Sequence, residues 1–275
     1  MIYLTGDTHN DFHRFTKKQR GRLQFDLQER DIVIVCGDFG LLWEKNRTFE
    51  FHLDWMGRLP FKILWVAGNH ENYDMLEEYN CESWHGGKVR HIIRDKIIYL
   101  ERGQVFKIEG KKFFTFGGAS SHDVQGGILY PDDPNYSQKR IAAVRSRLPY
   151  RVKGKSWWKQ ELPSEEEMQE GLKNLKRENY KVDYIITHCC SSRVQRELEQ
   201  SYGGGYGNYA KIYEEDILTE YFDQLEDKLE YKRWYCGHYH VNRVIDEKHI
   251  VLYKSMIPLD IQEKGGYKSG ADIKS

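Results

Sequence analysis

Seven side chains of types that bind metal ions follow short apolar segments of this 275-residue chain. Each segment ends on Asp, Asn or His, in most cases after a glycine. The segments are IYLTGDTH (2–9), DIVIVCGD (31–38), FKILWVAGNHE (61–71), VDYIITHCC (182–190) and RWYCGHYH (233–240). The candidate ligands are Asp7, His9, Asp38, Asn69, His188, His238 and His240. Carboxylate, amide and imidazole groups without a thiolate suit Mn, Fe, Zn or Ni better than Mg or Ca.

The number of these groups indicates more than one metal ion. Seven candidates exceed what one tetrahedral zinc ion needs, whereas two ions that share a bridging carboxylate would use them all. Two metal ions ~3.5–4 Å apart are a common means of in-line attack on phosphorus, because they clamp both the nucleophile and the phosphoryl oxygens. A single Gly-Asp pair or a lone histidine is more often structural. The recurrence of the pattern is what indicates a site.

The spacing of residues within the motifs predicts which side chains converge on a metal site and which side chain faces the substrate. In two motifs the candidate ligands lie two residues apart: Asp7 with His9, and His238 with His240. Side chains at that spacing on a strand point to the same face, so each pair is expected to converge. Asn69 and His70 are adjacent and should point in different directions. We therefore interpret Asn69 as a ligand and His70 as the residue that faces an approaching substrate.

The elements that must position these groups alternate between strand and helix in the first third of the chain. Three segments rich in Val, Ile and Leu predict buried parallel strands at residues 2–5, 32–36 and 63–67. Apolar residues at helical spacing predict a helix between the second and third strands, ended by Gly57 and Pro60. In open α/β sheets, ligands bind at the loops that follow the carboxyl ends of parallel strands.

The rest of the chain predicts a single domain over residues 1–264 and a disordered tail over residues 265–275. The segment KIEGKKFF predicts a hairpin, and Ser164 with Glu167 forms a capping box that predicts the start of a helix. Further strands are predicted at residues 184–187, 233–236, 242–245 and 250–253, and a helix at residues 212–225. Residues 117–162 show no clear periodicity.

The composition excludes several classes of protein. Lys plus Arg and Asp plus Glu both number 42, so no global field that attracts polyanions is expected. No apolar run approaches the ~18 residues of a membrane span, and the N-terminal segment lacks the basic region of a signal peptide. The five cysteines form no CxxC pair, which favours a reducing compartment. We therefore expect a cytoplasmic protein without membrane association.

Taken together, the motifs resemble those of the calcineurin-like metallophosphoesterases. They are GDTH (6–9), GD (37–38), GNHE (68–71), the histidine at position 188 and GHYH (237–240), and the resemblance spans residues 5–240. It implies an α/β fold, a four-layer α/β/β/α sandwich with two mixed β-sheets. It also implies two divalent metal ions, Mn first with Fe, Zn or Ni as alternatives. A metal-bound hydroxide would then attack a phosphate ester in line.

The same resemblance implies a role for each residue. One metal ion would be held by Asp7, His9 and His240, and the other by Asn69, His188 and His238, with Asp38 bridging the two. His70 would be the catalytic residue over the substrate phosphate, where it stabilises the transition state or protonates the leaving oxygen.

The second motif departs from the family pattern. Many relatives continue it as Gly-Asp-x-x-Asp or Asn, and this later residue supports the catalytic histidine, but Leu41 occupies the position here. His70 is therefore either oriented by another group, for which Glu71 and Asp74 are the nearby candidates, or only loosely held. The Asp-Arg-Gly that continues the motif in Ser/Thr protein phosphatases is also missing, so protein phosphatase activity is not expected.

A basic segment suggests the class of substrate. Between residues 139 and 159 the chain carries eight basic side chains and no acidic one, with Tyr and Trp interleaved. This composition is typical of surfaces that bind nucleotides or nucleic acid. Arg145 and Arg151 are therefore candidate substrate-binding residues, as is His122 in the segment GGASSHD. The alternatives are a solvated basic loop for the first two and a plain tight turn for the third.

The sequence predicts a dinuclear-metal phosphoesterase, and the basic segment favours nucleotidic phosphodiesters as its substrates. One alternative is a phosphomonoesterase that acts on small phosphorylated molecules. Others are a mononuclear zinc hydrolase of non-phosphate esters and a non-catalytic binding module of the same fold. The binding module is disfavoured because every ligand position and His70 are intact. The oligomeric state does not follow from the sequence.

Overall fold

The computed structural model describes residues 1–16, 27–201, 213–259 and 273. The strands are β1 (Ile2–Thr5), β2 (Ile32–Val35), β3 (Lys62–Trp65), β4 (Cys81–Trp84), β5 (Gly87–Ile93), β6 (Ile97–Leu100), β7 (Gln104–Ile108), β8 (Lys111–Phe116), β9 (Ile128–Leu129), β10 (Arg151–Val152), β11 (Tyr184–Thr187), β12 (Arg233–Cys236), β13 (Arg243–Val244), β14 (His249–Val251) and β15 (Met256–Pro258). The helices are α1 (Arg47–Gly57), α2 (Tyr73–Glu77), α3 (Tyr136–Ser146), α4 (Glu165–Arg177), α5 (Ser192–Ser201) and α6 (Ile217–Glu226), with 3₁₀ turns at His13–Phe15 and Lys159–Glu161.

Both large sheets are mixed. Over the described residues, the first sheet has the strand order β15–β1–β2–β3–β6–β5–β4. Its strands β1, β2, β3 and β6 are parallel, and β15 and the β4–β5 hairpin add antiparallel pairings. The second sheet, in the same part of the chain, has the order β13–β14–β12–β11–β8–β7. Its strands β8, β11, β12 and β14 are parallel, and β7 and β13 pair antiparallel at its edges.

Within the described residues, three hydrophobic clusters separate four layers. The central cluster joins the facing surfaces of the two sheets and includes Leu4 and Ile186. A second cluster, with Tyr3 and Met56, lies between the first sheet and helices α1 and α2. The third, with Phe222, lies between the second sheet and α4, α5 and α6. Successive residues of one strand enter different clusters because side chains alternate between the faces of a sheet. The predicted four-layer sandwich is confirmed.

Most predicted elements are present, some with shifted ends. The three early strands and the β7–β8 hairpin are confirmed, and α4 starts at the predicted capping box, where Glu167 accepts the N–H of Ser164 at 2.8 Å. The helix predicted from residue 212 begins at Ile217, because Asp216 caps it by accepting the N–H of Leu218 at 2.8 Å. Helices α2, α3 and α5 were not predicted. None of the described helices combines the length and the apolar character that a membrane crossing needs.

Little of the predicted disordered tail falls within the described residues. Ile273 is buried in the central cluster, and its N–H donates to the carbonyl of Asn242 at 2.8 Å. The other tail positions, 265–272 and 274–275, lie outside the described residues. The division into a domain over residues 1–264 and a tail therefore stays a prediction.

The carboxyl ends of the parallel strands lie at one edge of the sandwich. In the first sheet, Thr5 of β1 pairs with Val35 of β2, which pairs with Trp65 of β3. In the second sheet, β8, β11 and β12 run in parallel. The two sheets also meet here, because the N–H of Gly118 after β8 donates to the carbonyl of Ala67 after β3 at 2.8 Å. All five motifs therefore enter one region.

Candidate active site

The predicted ligands lie in loops directly after β1, β2, β3, β11 and β12. Four of them have left-handed backbone, with φ of 46° at His9, 46° at Asp38, 68° at His238 and 51° at His240. For residues other than glycine, such a backbone conformation costs about 1–3 kcal/mol, and residues that adopt it concentrate at functional sites. The expected convergence of His238 with His240 is wrong, because these loops are not strands. His240 turns to His9, whereas the ring of His238 packs on that of His188 at 4.9 Å.

A first group consists of Asp7, His9 and His240, whose ligand atoms lie within 4.8 Å of one another. The two Nε2 atoms are 2.8 Å apart, and Oδ2 of Asp7 lies 3.7 Å from that of His9 and 3.2 Å from that of His240. Burial would raise the pKa of Asp7, but the His240 and His9 imidazoles hold it well below its usual range. Oδ2 is buried and has no hydrogen-bond partner among the described residues. An unpartnered carboxylate oxygen that faces two imidazoles fits a bound cation.

A second group forms around His188. Its Nδ1–H donates to the carbonyl of Cys36 at 2.8 Å, so Nε2 carries the lone pair of the neutral ring. Nε2 faces Oδ1 of Asp38 at 3.4 Å and Oδ1 of Asn69 at 3.2 Å. Three acceptor atoms that face one another repel unless a proton or a cation lies between them. The ring of His238 packs against this group, and the donor set again fits a divalent metal ion.

Asp38 lies between the two groups. Its Oδ2 is 3.7 Å from Nε2 of His9, and its Oδ1 is 3.4 Å from Nε2 of His188 and accepts the N–H of His70 at 2.7 Å. Burial disfavours the charged form of Asp38, yet the neighbouring His188 holds the pKa of this carboxyl well below its usual range. Burial also favours a neutral His188, but Asp38 outweighs it and raises the pKa of His188 to about 9. The two carboxyl groups that face His188 therefore favour a positive charge at the place where a cation would bind.

Two motif glycines make room for this packing. A Cβ atom on Gly37 would lie 2.0 Å from Nδ1 of His188, and its φ of 93° also disfavours a side chain. A Cβ atom on Gly68 would lie 2.0 Å from Oδ1 of Asp38. The glycines of GD and GNHE are therefore required by the close approach of the candidate ligand side chains.

His70 is contacted by Arg151 of β10. Nη2 of Arg151 donates to Nε2 of His70 at 2.9 Å, and Nη1 lies 3.4 Å from Nδ1. The expectation that Glu71 or Asp74 orients His70 is wrong. Glu71 accepts a backbone N–H of the loop after β2 at 2.8 Å, and Asp74 accepts the indole N–H of Trp158 at 2.8 Å. The polar contact to the His70 ring therefore comes from a distant part of the sequence.

Arg151 is held rigidly against His70. Its side chain is 7% exposed, Nε donates to Asp123 at 2.8 Å, and Nη1 donates to the carbonyl of Ser156 at 3.0 Å. Burial lowers the pKa of His70 to about 4, and the Arg151 cation acts in the same direction. A neutral imidazole and an anchored guanidinium therefore stand together beside the ligand cluster. This pair is suited to binding an anionic oxygen.

Of the other predicted substrate-binding residues, His122 borders the site. Its ring lies 5.8 Å from that of His238 and 4.9 Å from that of Tyr213, next to a cavity of about 360 Å³. Arg145 is exposed on α3. Within the described residues, no hydrogen bond or ion pair joins Arg145 to the candidate ligands.

Sequence reasoning missed three polar residues of the site. Ser121 lies 3.4 Å from Nδ2 of Asn69 and 2.6 Å from a carboxylate oxygen of Glu161, and Asp123 anchors Arg151. The segment GGASSHD could have identified two of them, because it follows β8 at the same edge as the motifs that carry the candidate ligands. Nothing in the sequence near Glu161 marks that residue.

Asp, Asn and His side chains gathered at one edge of two mixed sheets form a site whose donor groups suit divalent metal ions. The family model of the calcineurin-like phosphoesterases matches residues 1–242. The chain belongs to this family and is an enzyme that hydrolyses phosphate esters. Among solved structures, the crystal structure of phosphopantetheinyl hydrolase (PptH) from Mycobacterium tuberculosis is similar, with a TM-score of 0.45 and 14% identity over 92% of this chain and 89% of that chain. No curated protein matches the chain.

Proposed function

We propose that the chain is a dinuclear-metal phosphoesterase. The position of Asp38 carries this proposal, because its two carboxylate oxygens face the His9 and His188 sides of the cluster. One metal ion would be held by Asp7, His9 and His240, and the other by Asn69, His188 and His238, with Asp38 shared. These donors suit Mn first, with Fe, Zn or Ni as alternatives.

His70 and Arg151 would bind the substrate phosphate. The ring of His70 lies 5.0 Å from that of His9, so the pair borders the ligand cluster. When bound, the metal ions would supply an activated water and would neutralise charge on the phosphoryl oxygens. Arg151 would donate to a non-bridging oxygen through the N–H groups that now face His70. His70 would stabilise the charge that develops in the transition state, and His122 would contact the leaving group in the adjacent cavity.

We infer that nucleotidic phosphodiesters are the substrates. Helix α3 exposes Arg140 and Arg145, and Arg147 follows it, so a polyanion would be attracted to this surface. Arg145 would then contact a phosphate distant from the reaction centre. Phosphomonoesters are the second candidate, because the two N–H groups of Arg151 that face His70 would favour a phosphate with more negative charge, and a monoester carries more charge than a diester.

The test is elemental analysis of the purified protein together with hydrolysis of p-nitrophenyl phosphate and bis(p-nitrophenyl) phosphate after addition of Mn²⁺. We expect two metal ions per chain, Mn²⁺-dependent turnover and a preference for the diester. A preference for the monoester would select the second candidate. One metal ion per chain would favour a mononuclear hydrolase, and a folded protein with no metal and no turnover would refute the proposal.

We also propose a cytoplasmic location. The five cysteines (Cys36, Cys81, Cys189, Cys190 and Cys236) lie within the described residues, and all of them are free thiols. Thiols stay reduced in the cytosol and are usually paired in oxidising compartments. Cell fractionation tests this proposal, and recovery of the protein outside the cytoplasm would contradict it.

A further inference from the structure

Glu161 is a buried carboxyl group that the proposed chemistry does not use. It is 2% exposed at the end of the second 3₁₀ turn, and burial raises its pKa to about 8. A buried carboxyl group is costly unless its oxygens are well bonded. Oε1 of Glu161 accepts the backbone N–H of Trp158 at 3.4 Å, and Oε2 accepts the hydroxyl O–H of Ser121 at 2.6 Å. Ser121 in turn contacts Asn69, which is one of the candidate ligands.

Ser121 joins Glu161 to Asn69 through two hydrogen bonds, and these three residues form a relay. When Glu161 is ionised, the single proton of the Ser121 hydroxyl is donated to it, so the lone pairs of Oγ are left to accept from Nδ2 of Asn69 at 3.4 Å. An amide that directs its NH₂ group to Ser121 must direct its oxygen the opposite way. Oδ1 of Asn69 accordingly faces Nε2 of His188 at 3.2 Å. The relay therefore fixes which end of the amide enters the cluster.

We propose that Ser121 and Glu161 are positioning residues that hold Asn69 with its oxygen towards a metal ion. The inference rests on the proposed dinuclear function, because it assigns Asn69 as a ligand. Groups that orient ligands from behind commonly contribute 10–100-fold to metal affinity. Among the described residues, the side chains of Ser121 and Glu161 hydrogen-bond to no candidate ligand other than Asn69, so their effect should fall mainly on the metal site of Asn69.

Arg102 fixes both ends of this relay. It is buried, and its Nη2 donates to the carbonyl of Glu161 at 3.3 Å and to the hydroxyl of Tyr73 at 2.9 Å. Tyr73 in turn donates to the carbonyl of Gly68, the residue before Asn69, at 2.8 Å. One guanidinium thus links the backbone that carries Glu161 to the backbone that carries the ligand. The amide orientation therefore rests on a rigid support.

The test is titration of metal-free protein with Mn²⁺ by calorimetry, with electron paramagnetic resonance to report paired and single ions. In Ser121→Ala we expect one of the two sites to weaken 10–100-fold while the other keeps its affinity, so single-ion spectra appear at low occupancy. Ser121→Thr keeps the hydroxyl and is expected to restore the wild-type curve. Ser120→Ala is the matched control, since Ser120 makes no hydrogen bond to Asn69.

Glu161→Gln provides a second test if Ser121→Ala does not fold. It keeps one acceptor oxygen for Ser121, so a smaller loss at the same single site is expected. Unchanged affinity in both variants, or equal weakening of both sites, would overturn the relay. If wild-type protein binds only one Mn²⁺, the dinuclear proposal fails first. The relay is then judged on that one site, where an unchanged affinity in Ser121→Ala overturns it as well.

Discussion

Replacement of Arg151 by glutamine should separate phosphate binding from folding. In the wild-type chain, Asp123 and Ser156 hold the guanidinium while its remaining N–H groups face His70. Glutamine fills part of the space but has neither the positive charge nor the reach. The carboxylate left behind, Asp123, is 36% exposed and can be hydrated, so the fold is expected to survive.

The size of the effect follows from the bonds that are lost. Two N–H groups that now face His70 are available to phosphate oxygens, and a hydrogen bond that involves a charged group contributes roughly 1.5–3 kcal/mol. Allowing for a weak bond from glutamine, the transition state loses about 2–4 kcal/mol, which is a ~30- to 1,000-fold fall in kcat/KM. Arg151→Lys keeps the charge but not the fork geometry, so an intermediate fall is expected.

The assay is steady-state hydrolysis of a p-nitrophenyl ester and of a dinucleotide, with thermal melting as the check on folding. Because Arg151 contacts His70 itself, both substrates should be affected by Arg151→Gln. Arg145→Gln is the control, since Arg145 is exposed on α3, and it should leave the small ester within about twofold and weaken only the dinucleotide. A change below threefold in a folded Arg151→Gln protein would refute the reasoning.

Three further predictions concern the metal site and the core. His70→Ala should keep its metal but lose about 10²–10⁴-fold in kcat, whereas Asp38→Ala should lose metal, as elemental analysis beside turnover would show. Gly37→Ala places a Cβ atom 2.0 Å from a ring atom of His188, so unfolding should become easier by about 2–4 kcal/mol in thermal or denaturant melts. Burial disfavours the charged form of His249, but the carboxylates of Asp246 and Glu226 outweigh burial and raise its pKa to about 9. The ion pairs of His249 should therefore stabilise the fold below pH ~6.5, and this stabilisation should be lost as the pH rises through about 9.

Each of these predictions has an outcome that contradicts it. Metal loss in His70→Ala would mean that His70 is itself a ligand. A Gly37→Ala protein as stable as wild type would show that the loop relaxes freely around the added methyl group. For His249, the comparison is His249→Gln, which should flatten the fall in unfolding free energy between pH ~6.5 and 9. If the two proteins lose stability in parallel over that window, the ion pairs of His249 contribute nothing.

The strands and motifs could be predicted because their signals are local. Runs of Val, Ile and Leu bounded by glycine identify buried strands, and β1, β2 and β3 lie within a residue or two of their predicted positions. The parallel βαβ order then places their carboxyl ends together. Side-chain direction could not be predicted in the same way. The left-handed backbone at His9, Asp38, His238 and His240 departs from the strand conformation that the spacing argument assumed.

The contacts of residues 117–162 could not be predicted, because the elements there are short and lack periodicity. β9 and β10 have two residues each and pair only with each other among the described strands. Yet this region supplies Arg151, Asp123, Ser121 and Glu161 to the site. These contacts connect distant parts of the chain, so no local pattern records them. The motif gap at Leu41 shows that a partner for His70 is missing, but it does not show where the replacement lies.

The replacement changes what His70 is able to do. Leu41 is buried in the apolar cluster between the first sheet and its helices, and in the described chain the polar contacts of the His70 ring come from Arg151. A carboxylate in this position would stabilise the imidazolium and so a proton donor, whereas a guanidinium disfavours it. A neutral ring donates one hydrogen bond to a phosphate oxygen but has no further proton to give without becoming an anion. The proton for the leaving oxygen would therefore come from another group, and the geometry favours His70 as a stabiliser of the transition state.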